Sequence, residues 1–237
     1  AIGRLPVKTL EEANDMVDKI KFYGTVDNQS VNTSEHCANN STSGILSDWR
    51  NMAIQISDDG DNNHYFNDIE TMYNKGRLLH PEINYSKIHA DAYVETSTAG
   101  GERNYEAEAA FKQQVENGAL LVNYIGHGGE TGLGHERYLT VPTVLGWTNL
   151  SRMPIFMTAT CEFSRFDDHD RTSAGEYVVL NPNGGGIGLF TTTRLVYSTS
   201  NAALNSYFYD TVFDKVNNEA PRSEEHTSEL SHVAISY

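Results

Sequence analysis

The chain has 237 residues, 38% hydrophobic and 10% aromatic, enough for one sizeable core. Its 17 basic and 32 acidic residues give a formal net charge of −15, which disfavours nucleic acid and anionic membrane surfaces as partners, because neutralising phosphates takes surplus Lys and Arg. Two cysteines, Cys37 and Cys161, exclude a disulfide framework, and no apolar run reaches the roughly 18 residues of a bilayer span.

Helix-like and strand-like segments alternate along the sequence. Thr9 and Glu12 make a capping-box pair, and Leu10, Ala13, Met16, Val17 and Ile20 form a stripe that predicts a helix over 9–20. Residues 23–50, rich in Asn, Ser and Thr, read as a long loop holding His36 and Cys37. A strand over 52–56 runs into Asp58, Asp59, Gly60, Asp61 and His64, after which Phe66, Ile69, Met72, Tyr73 and Leu79 share a helical face. There follow a strand over 88–93, a helix over 104–116, the strongest strand over 119–125 and an apolar stretch over 155–160 behind Pro154. A short helix capped by Ser173 and Glu176 reaches Leu180, and a strand over 186–192 and a helix over 200–216 close the pattern. The alternation predicts an α/β fold with a mainly parallel central sheet flanked by helices. In such sheets ligands gather at the carboxyl ends of the strands, so the residues just after each strand are the candidates for chemistry.

Two of those exits carry reactive side chains. His127 leaves the third strand between Gly126, Gly128 and Gly129, and Cys161 leaves the fourth within Thr158-Ala159-Thr160-Cys161. If the two strands pair, their ends lie roughly 5 Å apart and imidazole and thiol face one cleft, where the ring can generate the reactive thiolate. A lone Cys ending an apolar strand is most often a small buried hydrophobe, and a Gly-rich loop with His is often only a turn; the conjunction at consecutive exits favours a site. Asp58, Asp59, Asp61 and His64 lie at the same edge. They offer a third group to orient the His, a calcium site, or a solvated turn, and their spacing does not match an EF-hand. Glu162, beside the thiol, would favour a basic side chain in a substrate pocket. Asp167, Asp168, His169 and Asp170 read as a polar loop that offers a cation site as the lesser alternative.

Other chemistries find little support. There is no Gly-x-Ser-x-Gly elbow, His135 and Glu136 do not complete a His-Glu-x-x-His zinc motif because position 139 is Leu, and the glycines at 184–186 precede a strand and read as a turn. His36 beside Cys37 has no sheet to position it.

The motifs Gly126-His127-Gly128 and Ala159-Thr160-Cys161-Glu162 resemble those of gingipain-like cysteine peptidases. The wider runs over 121–131 and 158–166, with the opening Ile2-Gly3-Arg4-Leu5-Pro6-Val7 and the loop over 58–64, are most similar to the sortase subunits of type IX secretion systems. The resemblance covers most of 1–216 and implies a caspase-like three-layer fold, with Cys161 as nucleophile, His127 as base and the N–H groups of Gly128 and Cys161 as oxyanion hole. No cofactor is required by that chemistry. For a sortase it implies protein substrates carrying C-terminal sorting domains, surface lipopolysaccharide as amine acceptor, other secretion components as partners, and a place at the cell surface or outer membrane of a bacterium, or secretion from it. Two alternatives stay open: a broad-specificity secreted protease, and a catalytically silent scaffold domain. The chain starts inside a patterned segment with neither initiator Met nor signal peptide, and we expect a fragment. The expected domain is 1–221. Residues 222–237 resemble the translation of a sequencing adapter and are expected to be non-native, which sets His226 and His232 aside.

Overall fold

A computed structural model of the chain describes residues 3–25 and 48–213. Most of the long loop with His36 and Cys37, the end of the closing helix and the residues over 222–237 lie outside the described residues.

In chain order the elements are α1 (Leu10–Thr25), β1 (Met52–Ser57), α2 (Gly60–Leu79), β2 (Asn84–His89), β3 (Thr96–Thr98), β4 (Gly101–Arg103), α3 (Tyr105–Asn117), β5 (Leu121–Ile125), β6 (Gly128–Gly129), β7 (Gly132–Leu133), β8 (Leu139–Thr140), α4 (Val141–Leu145), β9 (Ile155–Ala159), α5 (Ala174–Leu180), β10 (Gly188–Phe190) and α6 (Ser198–Phe213). The central sheet has the order β10-β9-β5-β1-β2, and every pair in it is parallel. Burial on both faces explains why β5 (Leu-Val-Asn-Tyr-Ile) and β9 (Ile-Phe-Met-Thr-Ala) read as near-continuous runs with no alternation. On one face Phe111 and Val115 of α3, Val144 of α4 and Val178 of α5 pack with Trp147, Val122 and Phe156. On the other, Ile69 and Met72 of α2 and Phe208, Tyr209 and Phe213 of α6 pack on Ala53, Leu121 and Met157. This is the three-layer arrangement expected.

Local signals held where they were self-contained. Thr9 Oγ1 accepts the Glu12 N–H at 3.1 Å while the Glu12 carboxylate accepts the Thr9 N–H at 3.1 Å. Ser173 and Glu176 form the second such box, with Glu176 fully buried. Three expectations need correction. Most of the α1 stripe is not its buried face: Leu10, Val17 and Ile20 are exposed, and the stripe's Met16 is buried together with Lys19 from outside it. The strand placed at 88–93 runs over 84–89, because β2 is an edge strand whose polar residues hide its pattern, and 90–92 form a 3₁₀ turn around buried Ala90. The strand placed at 186–192 shortens to 188–190.

Candidate active site

Strand register brings the two reactive residues together. β5 and β9 pair with Ile125 opposite Ala159, and His127 and Cys161 each follow two residues later. The backbone of His127 is clamped from both sides. Its N–H donates to Asp58 Oδ2 at 2.8 Å, and its carbonyl accepts the Tyr124 hydroxyl at 2.6 Å and the Gly134 N–H at 2.9 Å. Asp58 sits at the end of β1, only 2% exposed, and also takes the Gly60 N–H at 3.1 Å. Burial pushes its carboxyl above the usual range, and the two N–H bonds offset this only in part.

The ring is held by three side chains. Nε2 lies 3.5 Å from Asp61 Oδ2, Tyr65 meets the ring edge-on at 5.2 Å, and His135 stacks on it at 4.7 Å with planes 9° apart. Gly60 makes room for it, since a Cβ there would lie 3.2 Å from His127 Cδ2. Asp61 reaches the ring by an uncommon backbone path: Asp61, Asn62 and Asn63 have φ of 57°, 55° and 63°, left-handed conformations that strain residues with a Cβ, though Asp and Asn less than others. Such strain persists where surrounding contacts over-determine it, and here the Tyr65 hydroxyl donates to Asp61 Oδ2 at 2.8 Å.

The residues of the loop over 58–64 therefore divide among different partners. Asp61 attends the ring and Asp58 the backbone, while His64 turns to Asp68 at 3.5 Å. Asp59 accepts from the Tyr138 hydroxyl at 3.3 Å, and Asp58, Asp59 and Glu136 bring carboxylate oxygens within 4.8 Å of one another. A solvated turn does not describe Asp58.

Cys161 is half-buried. Its Sγ donates to the Val196 carbonyl at 3.6 Å, and no thiol–imidazole hydrogen bond forms among the described residues. Glu162 is left-handed (φ 49°), sends its N–H to the Arg194 carbonyl at 3.2 Å, and keeps its carboxylate 3.3 Å from Arg165, which also pairs with Glu130 at 3.1 Å. Its charge is thus already partnered. Asp167 pairs with Arg194, whose guanidinium holds that carboxyl below its usual range. The opening segment also touches this region, with the Arg4 guanidinium 4.0 Å over the Phe166 ring.

Beside the His127 loop, the antiparallel sheet β6-β7-β8 borders a groove of about 920 Å³ lined by Gly128, Gly129, His135 and Arg137. His135, Tyr65, Glu136 and Val196 were not foreseen as site residues. The glycines over 128–134 were the available signal for His135, since they permit the tight hairpin that returns the chain to His127. Val196 arrives through tertiary contact and had no local signal.

A five-stranded, all-parallel sheet under helices on both faces defines an α/β domain of caspase-like architecture. Residues 1–226 match the model of peptidase family C25, and the chain belongs to that family of cysteine-type peptidases. Its structure is similar to that of the Arg-specific cysteine proteinase gingipain R (TM-score 0.72, 15% identity, covering 98% of this chain and 49% of that one). It is also similar to a complex of Porphyromonas gingivalis RgpB pro- and mature domains (TM-score 0.68, 15% identity, 91% and 46%) and to a structure described simply as a protease (TM-score 0.56, 14% identity, 84% and 38%). At such identities the likeness is one of fold, and the chain spans about half the length of the first two or less. No curated protein sequence matches it.

Proposed function

We propose that this chain is a cysteine endopeptidase with Cys161 as nucleophile and His127 as its base. The observation that carries the proposal is the β5–β9 register, which sets the two side chains at matching positions past adjacent strand ends. With Nε2 turned to Asp61, Nδ1 is the ring atom left to take the thiol proton. The sulfur then bonds to the scissile carbonyl carbon, the C–N bond breaks, and the departing amine takes the proton from the imidazole. Water or a second amine then attacks the thioester carbonyl and gives a proton to the imidazole; the C–S bond breaks, the acyl group leaves on the new nucleophile, and the proton passes back to the Cys161 sulfur. The N–H groups of Gly128 and Cys161 suit the transient oxyanion. The Gly134 bond to the His127 carbonyl places Gly128 opposite Leu133 where facing residues exchange no ladder bonds, leaving the Gly128 N–H for a ligand. Asp61 is the third group of this site, by its distance to Nε2.

Within the family we read the chain as a sortase of the PorU type, on the resemblance of the runs over 121–131 and 158–166. Its substrates would be secretion cargo bearing C-terminal sorting domains, its acyl acceptor water or an amine on surface lipopolysaccharide, and its place the cell surface beside other type IX components. The dyad needs no cofactor. Calcium is the cation that the oxygens of Asp58, Asp59 and Glu136 suit, in a structural role. Glu162 would favour a basic substrate side chain only in competition with Arg165.

Alkylation by iodoacetamide, mapped by mass spectrometry with Cys37 as internal reference, tests the dyad. Cys161 should react faster than Cys37, Cys161→Ala should lose all peptidase activity, and His127→Ala should slow Cys161 labelling at neutral pH by on the order of a hundredfold. Equal labelling of both thiols together with an active Cys161→Ala variant rules the assignment out. Cargo ending in a sorting domain, incubated with and without an amine acceptor, separates the finer readings: capped product marks a sortase, and indiscriminate digestion a broad protease.

A further inference from the structure

We infer that His135 is a positioning residue for His127, a flat plate that fixes the plane of the imidazole; this rests on His127 being the base. The bonds that clamp His127 all end on its backbone: Asp58 on the N–H, Tyr124 and Gly134 on the carbonyl. They leave both side-chain torsions free. Asp61 at 3.5 Å restrains one ring atom, Nε2, about which the ring can still swing, and Tyr65 touches an edge. Among the described residues, only the His135 ring, parallel to within 9° and 4.7 Å away, stacks on a face of the imidazole and so sets which way Nδ1 points. A mis-aimed Nδ1 cannot collect the thiol proton, and displacements near 1 Å cost reaction rate steeply.

The fold delivers His135 to this place by the hairpin itself. β6 and β7 pair Gly128 with Leu133, and the Gly134 N–H to the His127 carbonyl sets Gly134 opposite His127; Gly134 is left-handed (φ 72°), which breaks the two-residue alternation of a strand and lets His135 turn back onto the ring. The neighbouring Glu136 turns inward to the Tyr138 hydroxyl at 2.7 Å and is buried, whereas His135 is exposed. An exposed ring that stacks on the candidate base contributes little to the core, which makes it separable from stability by mutation.

The test is a double-mutant cycle read by the rate of Cys161 alkylation with iodoacetamide at neutral pH. His135→Ala should slow labelling on the order of tenfold with an unchanged urea midpoint. His135→Phe, which keeps a flat ring, should restore the rate to within about twofold. In a His127→Ala background His135→Ala should add nothing, since it acts through that ring. NMR of the histidine side chains gives a readout apart from reactivity: His127 ring signals should move in the Ala variant and return towards wild type with Phe. The inference is overturned if His135→Ala labels at the wild-type rate, if Phe fails to rescue, or if the loss is as large without His127. If His127→Ala itself labels at the wild-type rate, the base assignment fails, and the role of His135 with it.

Discussion

Around His127, missing atoms matter as much as present ones. At Gly128 an added Cβ would lie 2.4 Å from the Thr160 hydroxyl, on the strand end that leads to the nucleophile. Gly128→Ala should therefore push the His127 loop off β9 and lower kcat/KM by a hundredfold or more, on the order expected when a catalytic pair separates by about 1 Å. Gly60→Ala brings a Cβ to 3.2 Å from the His127 ring, which need give by only a few tenths of an ångström, and should cost far less; steady-state kinetics on the two variants checks the ranking. Asp58 makes a pH prediction at the same scale. Burial raises its folded-state pKa above the unfolded value of 3.8, so the folded state holds this proton more tightly. Its contribution to stability is then most favourable below pH 3.8 and diminishes as pH rises through the raised value. Asp58→Asn removes that dependence, so urea unfolding at pH 4 and pH 7 should show the wild type losing ground to Asp58→Asn at the higher pH.

At the scale of elements, α1 shows how a helix can dock by a polar anchor. Lys19 is 2% exposed, and its Nζ lies 2.8 Å from each of the carbonyl oxygens of Val179, Asn181 and Gly184, at the end of α5 and the turn towards β10. Burial brings its ammonium down to about 7, and the group still has hydrogens to give to these carbonyls. Lys19→Met would keep much of the stem's packing but orphan buried acceptors at about 1–3 kcal/mol each, and a loss of roughly 3 kcal/mol in urea unfolding is expected. The sequence stripe missed this, because hydrophobic periodicity has no symbol for a lysine that ends in carbonyls. Capping boxes were legible because two residues three apart in the sequence decide them. The sheet was legible too, since strands buried on both faces leave apolar runs, and so was the position of His127 and Cys161 just past two neighbouring strand ends. The left-handed entry of α2, the edge strand β2 and the contacts of His135 and Val196 were not, for they depend on partners far away in sequence.

Across the whole molecule, the layer under α2 and α6 contains a buried polar network as well as apolar packing. Gln55 and Asn123 face each other in the β1–β5 register, and both are fully buried. Their amides reach the Tyr209 hydroxyl at 2.6 and 3.2 Å, and Asn205 donates to Asn123 at 2.8 Å, so α6 satisfies the centre of the sheet. In the same layer the Tyr85 hydroxyl is buried and has no hydrogen-bond partner among the described residues. The same Tyr→Phe change should thus have opposite consequences at two nearby positions. Tyr209→Phe strips two buried amides of a partner and should cost about 2–3 kcal/mol, whereas Tyr85→Phe removes an unpaired hydroxyl and should be neutral or mildly stabilising. Urea midpoints for the two variants measure the contrast, and similar losses in both would show that packing, not the network, holds α6 in place. The network sits in β1 and β5, whose next residues deliver Asp58 and His127. Loosening it in Tyr209→Phe should therefore also slow Cys161 alkylation at temperatures where the protein is still folded, an effect that Tyr85→Phe should lack.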